Sequence, residues 1–332
     1  MSAKARFDPQ PFFSVPLVPI AGPERPDLEG IVIPRSEIGR EPIGVTRQFL
    51  EDAGDYHEKY TATAYFKALL EQALARCKID LDAPVILDIG SGSGNSVFPC
   101  LELFADPHII ATDISPDLLS ILARHVRELG RESQVVTVCV DATRDLYRGK
   151  SFDLVVGAAI LHHLIDPADA LAAALRALKS GGHAIFFEPF EAGHAILRLA
   201  YKEIIRHQDR SKPEEARALR VLEAMVRDIE VRAGSDKSAP IFEQIDDKWL
   251  FTRGYIEHIA SRANASRVEI HPLHVTPSPF TDETRTNLRL AAGLGPEALG
   301  DWAWDILNDY DSAFSQDLMG DLMTAGAVLL TK

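Results

Sequence analysis

The chain has 332 residues, of which 46% are hydrophobic and 25% charged, the proportions of a soluble globular protein with ample material for a core. Its formal net charge of −14 comes without any lysine- or arginine-rich block, so nucleic acid would have to bind a local patch against an unfavourable overall field. Cys77, Cys100 and Cys139 are scattered singly, which argues against a disulfide framework and a zinc site and suits a reducing cytoplasm. No apolar run is long enough to span a bilayer. Residues up to about Arg40 are proline-rich, with Phe12, Phe13, Val15, Leu17, Val18 and Ile20 interspersed, and read as an extended arm packed over the surface. The stretch from Thr46 to Lys78 predicts one or two helices that bring Tyr56, His57, Tyr60, Tyr65 and Phe66 together.

The segment from Val85 to Asn95, VILDIGSGSGN, predicts a buried parallel strand turning sharply into a helix. Gly90, Gly92 and Gly94 let the backbone bend and let its amides touch a ligand. Their GxGxG spacing departs from the dinucleotide fingerprint, and no Lys-Ser or Lys-Thr pair follows as in a phosphate-gripping loop. Asp88 would repel a pyrophosphate but suits a ligand with an ammonium or sulfonium group. With these residues the segment resembles motif I of the class I S-adenosylmethionine (SAM)-dependent methyltransferases.

A second apolar run ends in Asp113 and Ile114, at the separation where an acid grips a ribose diol in Rossmann-type sites. Ser115, Pro116 and Gly130 bound the helix that follows. A third strand runs from Gln134 and ends at Asp141 and Ala142, and a fourth ends at Ala158 before LHHLIDP and a helix that Gly181 and Gly182 are expected to stop. His183 to Phe190 makes a fifth. This order predicts an α/β, doubly wound, mostly parallel sheet. The resemblance implies seven strands, SAM as cofactor and S-adenosylhomocysteine as product. It implies a binding site of Asp88, Gly90, Ser91, Gly92, Gly94, Asn95, Asp113, Ile114, Asp141, Ala142 and Ala158, with Asp141 at the adenine and Tyr56 and Tyr60 capping the cofactor.

Beyond Pro189 the periodicity turns helical. One helix covers Ala195 to Gln208, a second opens with a Ser211/Glu214 capping box and ends at Gly234, and a third spans Ile245 to Ala263. Arg267 to Pro277 and Ala325 to Lys332 read as the last strands, with an acidic helix carrying Trp302, Trp304 and Tyr310 between them. The division expected is residues 1–83 as arm and helical cap, 84–190 as SAM-binding core, 191–265 as a helical insertion or lid, and 266–332 as the remaining strands.

Methyl transfer from a sulfonium is an in-line displacement, driven by holding the acceptor collinear with the breaking bond in a water-poor pocket. A base is required only when the acceptor arrives protonated, and His162, His163 and Glu188 are its candidates. Adjacent histidines are expected to point apart and so not to share a metal, and His271 and His274 do not fall on one strand face. Catechol-type enzymes resemble one another in acids after the third and fourth strands. Here Gly157 to Ile160 occupy the second position, so no metal is expected. The expectation is a cytoplasmic SAM-dependent methyltransferase with a small-molecule acceptor, no nucleic acid or membrane partner, and a possible homodimer. A protein side-chain methyltransferase and a non-catalytic SAM-binding subunit are the alternatives.

Overall fold

The computed structural model describes residues 7–40, 45–46, 52–207, 213–273 and 276–332. Ser211 of the expected capping box and His274 lie outside them. Five parallel strands form the centre: β3 (Val85–Ile89), β4 (His108–Asp113), β5 (Val135–Cys139), β6 (Phe152–Ala158) and β7 (Leu178–Pro189). They are apolar runs because helices cover both faces, and β5 is buried at every position. β9 (Ala325–Thr331) pairs antiparallel with β7, and β8 (Arg267–Pro272) antiparallel with β9.

Nine strands are present among the described residues, which corrects the expected seven. The two extra come from the arm. β1 (Leu17–Pro19) and β2 (Ile31–Pro34) pair antiparallel, and β2 continues the sheet parallel to β5, giving the order β1-β2-β5-β4-β3-β6-β7-β9-β8. The arm's apolar residues therefore enter the core, where Phe13 is fully buried.

The helices α1 (Ala53–Tyr60) and α2 (Thr63–Cys77) precede β3, α3 (Val97–Leu103) follows the glycine loop, and α4 (Pro116–Glu128) follows β4. Ser115 caps α4 by accepting from Leu118 N at 3.2 Å, and Asp166 caps α5 (Pro167–Ala177) by accepting from Ala168 N at 3.1 Å. α5 ends at Ala177 and the chain enters β7 at once, because Leu178 pairs with Phe152, so Gly181 and Gly182 lie inside the strand rather than stopping the helix.

The insertion supplies α6 (Glu191–His207), α7 (Pro213–Arg232) and α8 (Arg253–Arg262). The third helix starts eight residues later than expected, at Arg253, where Thr252 accepts from Tyr255 N at 3.1 Å. Residues 245–252 are instead an irregular strap. The sequence reading missed α9 (Pro279–Ala292), whose first half is polar and rich in threonine. α9 and α10 (Asp301–Ser312) join α6 and α7 around a third core built on Leu197, Tyr201, Leu222, Phe280, Leu288 and Leu307. Trp302, Trp304 and Tyr310 pack on this core, and Trp304 Nε1 donates to the Pro296 carbonyl at 2.9 Å. α11 (Gln316–Asp321) leads into β9. No described helix is long and apolar enough to cross a membrane.

Candidate functional site

The C-terminal ends of the parallel strands open on a cavity of about 560 Å³. Gly90, Ser91, Gly92, Asn95, Asp113, Ile114, Asp141, Ala142, Ala158, Tyr56, Tyr60 and His163 all line it, brought together from strand ends far apart in sequence. Gly90 takes a φ of 69°, and a Cβ there would stand 2.6 Å from the Ile160 side chain. Gly92, at φ 50°, faces open space, so its missing side chain leaves room for a ligand. Gly94 packs against Phe98 and Leu122 and supports the loop from behind.

Asp88 lies beneath the loop, fully buried. Its Oδ1 accepts from Ser91 Oγ at 3.0 Å, and the Ser96 hydroxyl, buried beside the carboxyl, also favours its charged form. Burial pushes its carboxyl up to about 7. A buried carboxylate under a glycine loop left open at Gly92 fits a ligand with a cationic end.

Asp113 accepts from Gly92 N and Ser115 N, both at 2.8 Å, so it shapes the loop as well as facing the cavity. Burial raises its pKa against the lowering effect of those two amides and that of Ile114. Asp141 Oδ1 accepts from Thr143 N at 2.8 Å and Thr143 Oγ1 at 2.7 Å, which orients the acid at the end of β5. Asn95 ties α1 and α2 to the loop: its amide donates to the Tyr60 carbonyl at 3.0 Å and its oxygen accepts from Ala62 N at 2.9 Å. That tie sets Tyr56 and Tyr60 on the cavity wall, their rings 4.8 Å apart.

Ile33, Glu37, Arg40 and Arg144 also line the cavity and were missed in the sequence. Glu37 is buried, with Arg144 Nε at 3.6 Å and Arg40 Nε at 3.7 Å. Only the pairing of β2 with β5 brings the arm there. Arg144 alone carried a local signal, three residues past Asp141 in the same strand-end loop.

A second cavity of about 290 Å³ adjoins the first, and Ala159 lines both. Ala159 holds a φ of 61°, a conformation unfavourable for a residue with a side chain, at the wall between them. α2, α6, α7 and α9 supply Phe66, His194, Tyr201, Arg232 and Glu283, and His162, Glu188 and Asp247 complete the lining. Glu188 is a loop anchor: Oε1 accepts from Ile160 N at 3.1 Å and Leu161 N at 2.7 Å, and Oε2 from His162 N at 3.2 Å and His162 Nδ1 at 2.7 Å. Burial disfavours the His162 imidazolium, but Glu188 and Asp247 outweigh it and raise His162 to about 9. Burial and the neighbouring His162 push His163 down. Burial takes His194 down to about 4, and its Nδ1 donates to the Phe190 carbonyl at 2.8 Å.

The two adjacent histidines do not point apart as expected. The turn Leu161–His163 brings their rings within 4.0 Å of each other, tilted by 42°, and both face Asp247. His162 Nε2, His163 Nδ1 and Asp247 each offer a ligand atom within 4.8 Å of the others, a spacing a metal ion could use. Arg232 Nη1, 3.4 Å from Asp247 Oδ2, already partners that carboxylate. His271 sits apart on β8, with Nε2 at 3.5 Å from Glu269, an acidic partner not evident in the sequence.

Comparison with known proteins agrees with this layout. The family described as "Methyltransferase domain" matches residues 87–184. Malonyl-[acyl-carrier protein] O-methyltransferase of Marinomonas sp. is 29% identical over 43% of this chain and 52% of its own length. Ubiquinone biosynthesis O-methyltransferase of Xanthomonas oryzae pv. oryzae is 30% identical over 46% of this chain and 67% of its own. The chain spans about half the length of the first curated relatives it matches, from 41% to 57%. A chain of the solved complex between the Haloferax volcanii Trm112 methyltransferase activator and a methyltransferase superposes with a TM-score of 0.52 at 14% identity, over 86% of this chain and 98% of that one, a likeness of fold alone. With its glycine loop, its strand-end carboxylates and these relatives, the chain belongs to the class I S-adenosylmethionine-dependent methyltransferases, enzymes that use SAM as cofactor.

Proposed function

We propose that this chain transfers a methyl group from SAM to a small-molecule acceptor by in-line displacement, with the donor in the larger cavity and the acceptor in the smaller one. The observation that carries the reading is the placement of two cavities side by side across Ala159, one under the glycine loop and the other walled by the insertion. When bound, SAM supplies an electrophilic methyl on sulfur. Asp88 and the loop of Gly90, Ser91 and Gly92 would hold its cationic amino-acid end, Asp113 its ribose, and Asp141 with Ala142 its adenine, while Tyr56 and Tyr60 cover it. Residues 84–190 act as the donor-binding core and 191–265 as the wall of the acceptor site. The relatives named for malonyl-acyl carrier, aklanonic acid and ubiquinone precursors support a biosynthetic acceptor.

The rate enhancement asked of this site is alignment and exclusion of water, for which the third core supplies the apolar wall. Donor binding is tested by calorimetry on wild type and Asp113→Ala, where the loss of a hydrogen bond to a charged group should weaken binding by about 1–3 kcal/mol. Transfer is tested with labelled methyl donor against a metabolite extract and a protein lysate. Label in small molecules supports the reading. Label confined to polypeptide, or donor binding without any transfer, overturns it.

A further inference from the structure

The arm brings a fourth carboxylate to the donor end of the sheet. Across the order β2-β5-β4-β3, Glu37, Asp141, Asp113 and Asp88 lie in turn at or beside the strand ends. The last three belong to strands of the parallel centre, whereas Glu37 follows β2, one of the two strands that the arm adds. The turn Arg35–Glu37 carries it to the cavity, which Ile33, Glu37, Val140, Asp141, Ala142 and Arg144 line together. Arg144 ties the two acids to one place. Its amide donates to the Asp141 carbonyl at 3.0 Å, and its Nε lies 3.6 Å from Glu37 Oε1.

Glu37 is 8% exposed, and burying a carboxylate is costly unless hydrogen bonds replace the lost water. Those it has are few. Ser36 Oγ donates to Oε1 at 3.3 Å, while Arg144 and Arg40 stand 3.6 and 3.7 Å from the same oxygen, beyond hydrogen-bond reach. Both arginines are well exposed, so water screens these pairs. Oε2 accepts no hydrogen bond from a described residue. A carboxylate has about four acceptor positions, so most of those on Glu37 are unused. Asp141 is in a similar state: Thr143 N and Oγ1 both donate to Oδ1, and no described residue donates to Oδ2. Two neighbouring carboxylates with spare acceptor positions, on a wall that also holds the apolar Ile33, Val140 and Ala142, fit a flat base bearing an amine with two hydrogens.

We propose that Glu37 determines specificity for the donor's base: it accepts one hydrogen of the adenine amine while Asp141 accepts the other. This rests on the methyltransferase reading above, in which Asp141 meets the adenine. A keto oxygen in the amine's place would face two carboxylates with no hydrogen to offer, and the site would reject it. Arg144 is the positioning residue that keeps Glu37 beside Asp141. The arm is thereby part of the donor site, and the extra strand β2 is what delivers its acid.

The test needs no identified acceptor. Calorimetry on the full-length protein uses three compounds: S-adenosylhomocysteine, its derivative with one methyl on the adenine amine, and S-inosylhomocysteine, where a keto oxygen replaces that amine. Wild type should bind the adenine compound at least about a hundredfold more tightly than the inosine compound, and the methylated one about tenfold more weakly than its parent, since one hydrogen is gone. Glu37→Gln should weaken the adenine compound about tenfold and narrow the adenine-to-inosine ratio by at least about tenfold, because a carboxamide can donate to a keto oxygen. Glu37→Asp, which keeps the charge and shortens its reach, should weaken the adenine compound and bind the inosine compound no better than wild type does. The proposal is overturned if wild type binds the methylated compound as tightly as its parent, if Glu37→Gln leaves adenine affinity unchanged, or if it weakens all three compounds equally, which would give Glu37 a role in the fold alone. The methylated compound needs no variant, so it tests the proposal even where both variants fail to fold. Failure of wild type to bind S-adenosylhomocysteine at all would sink the methyltransferase reading separately.

Discussion

Replacing Asp88 by asparagine isolates the charge under the glycine loop. The carboxyl is fully buried and lifted from 3.8 to about 7, and asparagine can keep the Ser91 hydrogen bond while having no charge to desolvate. Across that window the folded protein holds a proton the unfolded chain has lost, so this group makes stability fall as pH rises. The slope is about 1.4 kcal/mol per pH unit, or roughly 4 kcal/mol over the whole interval. Below the lower value both states are protonated and above the upper both are ionised, so the dependence vanishes at each end. Urea unfolding of ligand-free wild type and Asp88→Asn between about pH 5 and pH 8 should show the variant gaining at least about 2 kcal/mol relative to wild type. Donor affinity should move the other way, weakening about tenfold or more in the variant, because the missing charge is the one that offsets a cationic ligand. Parallel stability curves for the two proteins would refute the argument that Asp88 is held in the folded state with a raised pKa.

Two other substitutions weigh space for a ligand against space for the fold. A Cβ at Gly193 would stand 2.4 Å from the Met323 backbone, which cannot yield, so Gly193→Ala should lower stability by about 3 kcal/mol in urea melts, whereas Gly92→Val, strained by its φ of 50° at a cost of about 1–2 kcal/mol, should still fold and lose donor binding at least about tenfold in calorimetry. Normal donor affinity in Gly92→Val would mean the open space at that glycine is not the donor's. Phe13→Ala tests the arm as part of the core and should cost about 3–5 kcal/mol, and a loss below about 1 kcal/mol would show the arm to be only laid on the surface.

The donor cavity was legible from sequence wherever its residues sit at the end of an apolar strand. Asp113 and Asp141 close such runs and line the cavity, and Asp88 lies near the end of a third, buried beneath the cavity's glycine loop, because a parallel sheet carries all three to one edge. Glu37 and Arg40 were not legible, because they reach the cavity through a pairing of β2 with β5 that leaves no local mark. Asp247 was hidden by periodicity: the apolar pattern of Trp249, Leu250, Phe251 and Ile256 reads as one helix, yet Thr252 caps the true start and frees the preceding residues. The histidine pair was misjudged because i and i+1 diverge on a regular helix or strand, but converge on a single tight turn clamped by Glu188.

The register of β2 against β5, with Ile31 opposite Thr137 and Val32 opposite Val138, has a consequence for biogenesis. The segment leaves the ribosome about a hundred residues before its hydrogen-bonding template exists. Until then it is a greasy ribbon whose amides face water, folded back at most on β1. Its docking is therefore a late, long-range closure, and the nascent protein must keep that ribbon from mating with neighbouring chains on the same polysome.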